Sequence, residues 1–267
     1  MIVRFPWTVG VAARVAGPVV KIPALPMAAV QAAAPDTVGV PAQAFYVLAR
    51  GGALGEVGPD TIAAAFVWMA PDRIARAYTQ AVEHITRAEA VRHWQEEIWA
   101  WGTRHLPRGD DLERLDPLLA RCVREAGPAG APIFAGWRAG ATPPDDPGAR
   151  VIHHLYALRE LRGALHASAV LAAGISPRTA VTIRTPWSAE RFGWTVPTTA
   201  PEETTAWEAA ERATDVAMAP VFTVLSEAEA ETLVTALDAL LTHTGALWTD
   251  DPDSPATIPR RVRGTGR

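Results

Sequence analysis

The sequence predicts an all-α protein, and three observations carry that prediction. Apolar residues recur at spacings of three and four along most of the chain, the period of a helix with one buried face. Strict apolar–polar alternation, the mark of a half-buried strand, is nearly absent. Proline stands at the start of several periodic segments and glycine at their joints, where each costs a helix least. With 267 residues, 49% of them hydrophobic, the chain can build one large core or two modest ones.

Taken in order, residues 1–40 read as an irregular segment with a short helix, because Arg14, the Gly17-Pro18 pair and Lys21 interrupt its apolar run. The same interruptions argue against a signal peptide. No apolar run reaches 18 residues, so no membrane span is expected and the cytoplasm is the expected compartment. Residues 41–140 read as an N-terminal helical domain. Helices are expected over Pro41–Arg50, Pro59–Ala70 and Pro71–Trp101, with Gly51, Gly52, Gly55 and Gly58 at the joints, and over Asp111–Glu125, stopped by Gly127-Pro128.

The stretch GATPPDDPG, Gly140 to Gly148, is a linker by composition. Residues 141–250 form the second part, opening on a long helix, Val151–Ala173, which Gly174 closes. Ser176-Pro177 then caps a short helix, and helices over Pro201–Val224 and Ser226–Thr242 follow, the last opened by a Ser226-x-x-Glu229 capping box. Between Trp187 and Asp250 eleven acids face only Arg191 and Arg212, a local charge of −9. Residues 251–267, rich in Pro, Gly and Arg, read as a disordered tail.

All basic residues but Lys21 are arginine, so arginine frequency alone carries no functional weight. Position does. In LRELRGALHASAVLAAG, Leu158 to Gly174, Arg159 and His166 lie within about 20° of each other on a helical wheel that is otherwise apolar nearly all round, with Arg162 one step aside. Such a helix is expected to be central and buried, and a buried guanidinium needs partners. One way to supply them is ion pairing with acids on neighbouring helices, such as Asp72, Glu83 or Glu97. The other is a pocket in which Arg159, Arg162 and Arg50 bind a small anionic or carbonyl-bearing molecule through planar, bidentate contacts. In that reading His166 donates to the ligand, or in an enzyme acts as acid or base. Phe45, Tyr46 and Trp68 are its apolar walls, while Glu160 and His153 support it from behind.

Other chemistries find little. Cys122, the one cysteine, excludes an internal disulfide and a thiolate metal cluster, and LLARCVREAG sets it near an apolar face as a packed thiol. Glu89, His93, Glu96 and Glu97 have helical spacing, but the His-x-x-Glu order has no second copy and fits a solvated face, so no metal is expected. No phosphate-binding or nucleophile-elbow motif appears, so no cofactor is expected either. Trp94, Trp99 and Trp101 cannot all be buried on one lone helix, which points to a homodimer or a cavity there.

Three segments together resemble an actinobacterial helix-turn-helix family: FYVLARGGALGEVGPDTIAAAFVWMAPDRI (Phe45 to Ile74), LRELRGALHASAVLAAGI, and the pair TPWSAE and ERATDVAMAPVFTVL. The resemblance implies a helical N-terminal part followed by a winged-helix part similar to the MarR regulators, and with it a transcriptional role. Where the family pattern reads Arg-Gly-Asp-Gly-His, this chain has Arg162, Gly163, Ala164, Leu165 and His166, without the acid. The wing is expected to be degenerate, since few residues separate Trp187 from Glu211. Acidity there opposes binding to DNA phosphates, so nucleic acid is not an expected partner.

Overall fold

The computed structural model describes residues 6–195, 199–245 and 247, the Trp187 side chain excepted. The regular elements are α1 (Trp7–Thr37), α2 (Ala42–Gly51), α3 (Pro59–Phe66), α4 (Pro71–Val82), α5 (Arg87–His105), α6 (Asp110–Glu125), α7 (Pro132–Ala139), α8 (Pro147–Ala172), α9 (Pro177–Arg184), α10 (Pro201–Met218) and α11 (Glu227–Gly245), with 3₁₀ turns at Gly52–Leu54, Pro186–Ser188 and Ala219–Val224. The protein is therefore all-α. No strand occurs among the described residues, so no strand-loop-strand wing is present there. Residues 196–198 and the tail 251–267 lie outside them.

The N-terminal reading needs correction. In place of an irregular segment with a short helix, α1 runs unbroken for 31 residues through Pro18, Pro23, Pro26 and Pro35. An interior proline removes a hydrogen bond and costs an isolated helix about 3 kcal/mol. Packing overrides that here: Val11, Val15, Val19, Ile22, Leu25 and Val30 are buried, and α1 lies against α2, α5, α8, α10 and α11. By length and composition α1 is apolar enough to cross a membrane, and half of that stretch is buried inside the protein.

Smaller departures have local causes. Pro71–Trp101 is two helices, because Thr86 caps α5: its hydroxyl accepts from the Glu89 backbone N–H, and the Glu89 carboxylate accepts from the Thr86 N–H. Glu89 thus belongs to a capping box. Helix α3 stops at Phe66, short of Ala70, on a turn in which Val67 takes φ +59°. Pro220 ends α10 early, leaving a 3₁₀ turn over 219–224. The capping box at Ser226 and Glu229 forms as its spacing predicts. So does the Ser176 cap, which accepts from the Thr179 N–H.

Helix α8 is the axis of the body, packed against α5, α10, α6, α1 and α7. Its buried residues run from Gly148 to Val170 and cover most of its circumference, as its apolar wheel predicts. It crosses α5 backbone to backbone at Gly102 and Gly148, where a Cβ on either would strike the other's carbonyl oxygen. Because α5 is enclosed by α1, α2 and α8, it buries Trp94, Trp99 and Trp101 together, and the three tryptophans therefore need no second chain to cover them. Cys122 is buried in the same core, and burial pushes its thiol up to about 12.

Candidate functional site

Two polar networks leave α8 in different directions. In the first, Glu160 is almost fully buried and receives Arg50 from α2 as a fork, Nε to Oε1 at 3.1 Å and Nη2 to Oε2 at 2.6 Å. Arg159 Nη1 adds a third bond to Oε1 at 2.8 Å. Burial alone would raise the Glu160 carboxyl, but the two guanidiniums outweigh it and hold the acid below the usual carboxylate range. The Arg50 guanidinium also stacks over Phe66, 4.2 Å from the ring centre, and lies near Tyr46. Glu160 is thus a full member of the network, bonded to both arginines.

In the second, Arg162 and His166 face α10. Arg162 Nη2 donates to Glu211 Oε2 at 2.9 Å and lies 3.7 Å from Asp215 Oδ1. His166 shares a hydrogen bond of 3.0 Å between Nδ1 and Thr214 Oγ1, and its Nε2 lies 3.7 Å from Glu211 Oε1. Trp68 and Trp207 pack against the imidazole at 5.7 and 4.9 Å between ring centres. Burial pushes His166 down to about 4 against the pull of Glu211, with Arg184 and Arg162 adding to the fall, so the ring is neutral at pH 7. Burial, with Glu211 beside it, raises the Asp215 carboxyl despite Arg162.

Arg184, the last residue of α9, completes the set. It makes no ion pair among the described residues, yet Glu211, Arg162 and Arg159 all lie within its electrostatic reach. Burial of its inner side and the two like charges lower its pKa, although its outer side stays exposed and water screens part of the effect. Among the described residues, four buried atoms of this region have no hydrogen-bond partner: Arg159 Nε, Arg162 Nε, His166 Nε2 and Asp215 Oδ1. Gly163, on the strip between Arg159 and His166, leaves open space where a Cβ would meet nothing within 4 Å.

Backbone strain lies beside these groups. Val67, a β-branched residue, sits at φ +59°, ψ −51° in a γ-turn closed by the Trp68 N–H on the Phe66 carbonyl, 2.6 Å. That turn delivers Trp68 to His166, and Trp194 Nε1 pins the Trp68 carbonyl at 2.8 Å.

The arginines of α8 therefore face acids, but not Asp72, Glu83 or Glu97. Asp72 and Glu83 are exposed, and Glu97 pairs with Arg104. Phe45 is buried in the main core against His93 and Trp94, so it walls neither network. His153, about 20 Å along α8 from His166 by helical rise, accepts from Trp99 Nε1 and stacks on Trp137, apart from both. Glu211, Thr214, Asp215, Trp207 and Arg184 went unpredicted. For the four on α10 the signal was the spacing 207, 211, 214 and 215 on one face, opposite 159, 162 and 166 on α8; Arg184, on α9, had none. Surface depressions lie on α4 around Thr79 and between α5 and Thr142–Pro144; neither is lined by α8.

Helix α8 passes to α9 through four residues, Ala173 to Ser176, with Gly174 at φ +77°. A family model described as a helix-turn-helix family matches residues 24–210. Neither the curated proteins nor the solved structures contain a match to the chain. The family match spans most of the sequence and takes in the whole of α8, its turn and α9, and on that ground the chain belongs to the helix-turn-helix family.

Proposed function

We propose that the face between α8, α9 and α10 binds a small organic anion. The observation that carries this reading is the group of buried, unpartnered polar atoms on Arg159, Arg162, His166 and Asp215. Buried polar atoms are nearly always satisfied, and each one left bare costs about 1–3 kcal/mol. A bound molecule would recover that cost. With Arg50 paired to Glu160, the cations Arg159, Arg162 and Arg184 outnumber Glu211 and Asp215 by one charge, which suits a monoanion. The open space over Gly163 and the exposed side of Arg184 provide the approach.

The test is calorimetric titration of the full chain with acetate and with inorganic phosphate at low salt. Saturable binding is expected, with loss in Gly163→Leu, whose side chain fills the space without breaking any ion pair. Absence of binding to the native protein would overturn the reading.

A second reading, a DNA-binding regulator, is favoured by the family match and by the α8–α9 turn, where Arg178 and Arg184 are exposed. The −9 segment after Trp187 opposes it. Retardation of the DNA upstream of its own coding region, weakening steeply as salt rises, would support this regulator. No retardation at low salt would remove it.

A further inference from the structure

We infer that the anion bound between α8 and α10 also carries a hydroxyl group that donates to His166 Nε2, which makes the ligand class a small hydroxy acid. The inference rests on the anion-binding reading and adds the second half of the ligand.

The Thr214 hydroxyl has one hydrogen, and that hydrogen goes to the Ala210 carbonyl at 2.7 Å. Thr214 Oγ1 can therefore only accept from His166 Nδ1, 3.0 Å away, so the proton of the neutral imidazole is on Nδ1. Nε2 is left with a bare lone pair. It is buried, has no hydrogen-bond partner among the described residues, and lies 3.7 Å from Glu211 Oε1, another acceptor. Asp215 Oδ1, 3.7 Å from Arg162 Nη2, is a third acceptor without a donor at hydrogen-bond distance among the described residues.

A simple carboxylate satisfies the free Nε–H groups of Arg159 and Arg162 and the Arg184 guanidinium, but it has no hydrogen to give. The acceptor side of the site needs a donor on the same molecule. An ammonium would place a cation beside Arg162 and Arg184 and make the ligand a zwitterion, without the net negative charge that the site's single positive charge attracts. A hydroxyl donates to Nε2, accepts from an arginine and keeps the ligand a monoanion. Trp68 and Trp207 pack against the imidazole.

The probes are lactate, propionate and alanine, titrated calorimetrically into the full chain at pH 7. Lactate is expected to bind about tenfold tighter than propionate, the worth of one buried hydrogen bond, and tighter than alanine. The lactate–propionate gap is expected to close to within about twofold in His166→Phe. Equal binding of lactate and propionate overturns the hydroxyl and leaves the anion reading standing; alanine binding as tightly as lactate overturns the choice of hydroxyl over ammonium. If no acid binds, the anion reading itself fails. Nitrogen-15 histidine spectra of the native protein give a check that needs no variant. They are expected to show His166 Nε2 unprotonated at pH 7 and shifted by lactate but not by propionate, and a protonated Nε2 in the free protein overturns the inference.

Discussion

Replacing Glu160 by glutamine keeps the shape of the side chain and removes the one charge that neutralises Arg50. The Arg50 side chain retains 11% of its exposure and that of Glu160 1%, so neither group reaches water freely. Loss of one partner of such a buried pair costs about 3–5 kcal/mol, because a desolvated cation is left behind. Glutamine still accepts one hydrogen bond, which puts Glu160→Gln near the lower end, about 3 kcal/mol. In a chain of this size that lowers the melting temperature by roughly 10 °C. Urea and thermal denaturation followed by circular dichroism measure it. Leucine at both Arg50 and Glu160 removes both charges together and is expected to recover most of the loss. A cost below about 1 kcal/mol for Glu160→Gln, the value of a surface pair, refutes the buried network.

Four further outcomes follow from the geometry. His153 and His166 are both held down to about 4, each chiefly by burial. An unfolded histidine takes its proton below about 6.5, so stability is full above that pH and falls as pH drops toward 4, by up to about 1.4 kcal/mol per pH unit for each ring. Urea midpoints measured from pH 7.5 to 4.5 should show this slope, and a flat profile contradicts it. Gly136→Ala drives a Cβ into the Ala53 carbonyl and should cost about 1–3 kcal/mol. Gly163→Ala, in open space in mid-helix, should gain up to about 1 kcal/mol by the same denaturation assay. Val67→Gly relieves the positive φ and should be close to neutral in stability, with the local strain of about 1–3 kcal/mol offsetting the lost side chain.

What was legible in the sequence was whatever depends on local chemistry. The Ser226 and Ser176 caps, the apolar circumference of α8 and the packed Cys122 all followed from neighbours within a few residues. Local prolines misled at α1, because long-range packing of Val15, Ile22 and Leu25 outweighs their cost. The partners of Arg162 and His166 were hidden for a related reason: Glu211 and Thr214 are about 50 positions away, on a segment whose acidity was weighed only against DNA phosphates. Arg50, read as a ligand contact, is paired with Glu160 in the structure.

The central claim is that Arg159 and Arg162 hold free Nε–H donors at a site open to a small anion. Arginine Nε–H correlation spectra test it directly, with resonances assigned through Arg→Lys variants and titrated with acetate at low salt. The Arg159 and Arg162 signals should shift saturably, while Arg50, whose Nε already donates to Glu160, stays in place. No shift at Arg159 and Arg162, or equal shifts at all three, would contradict it.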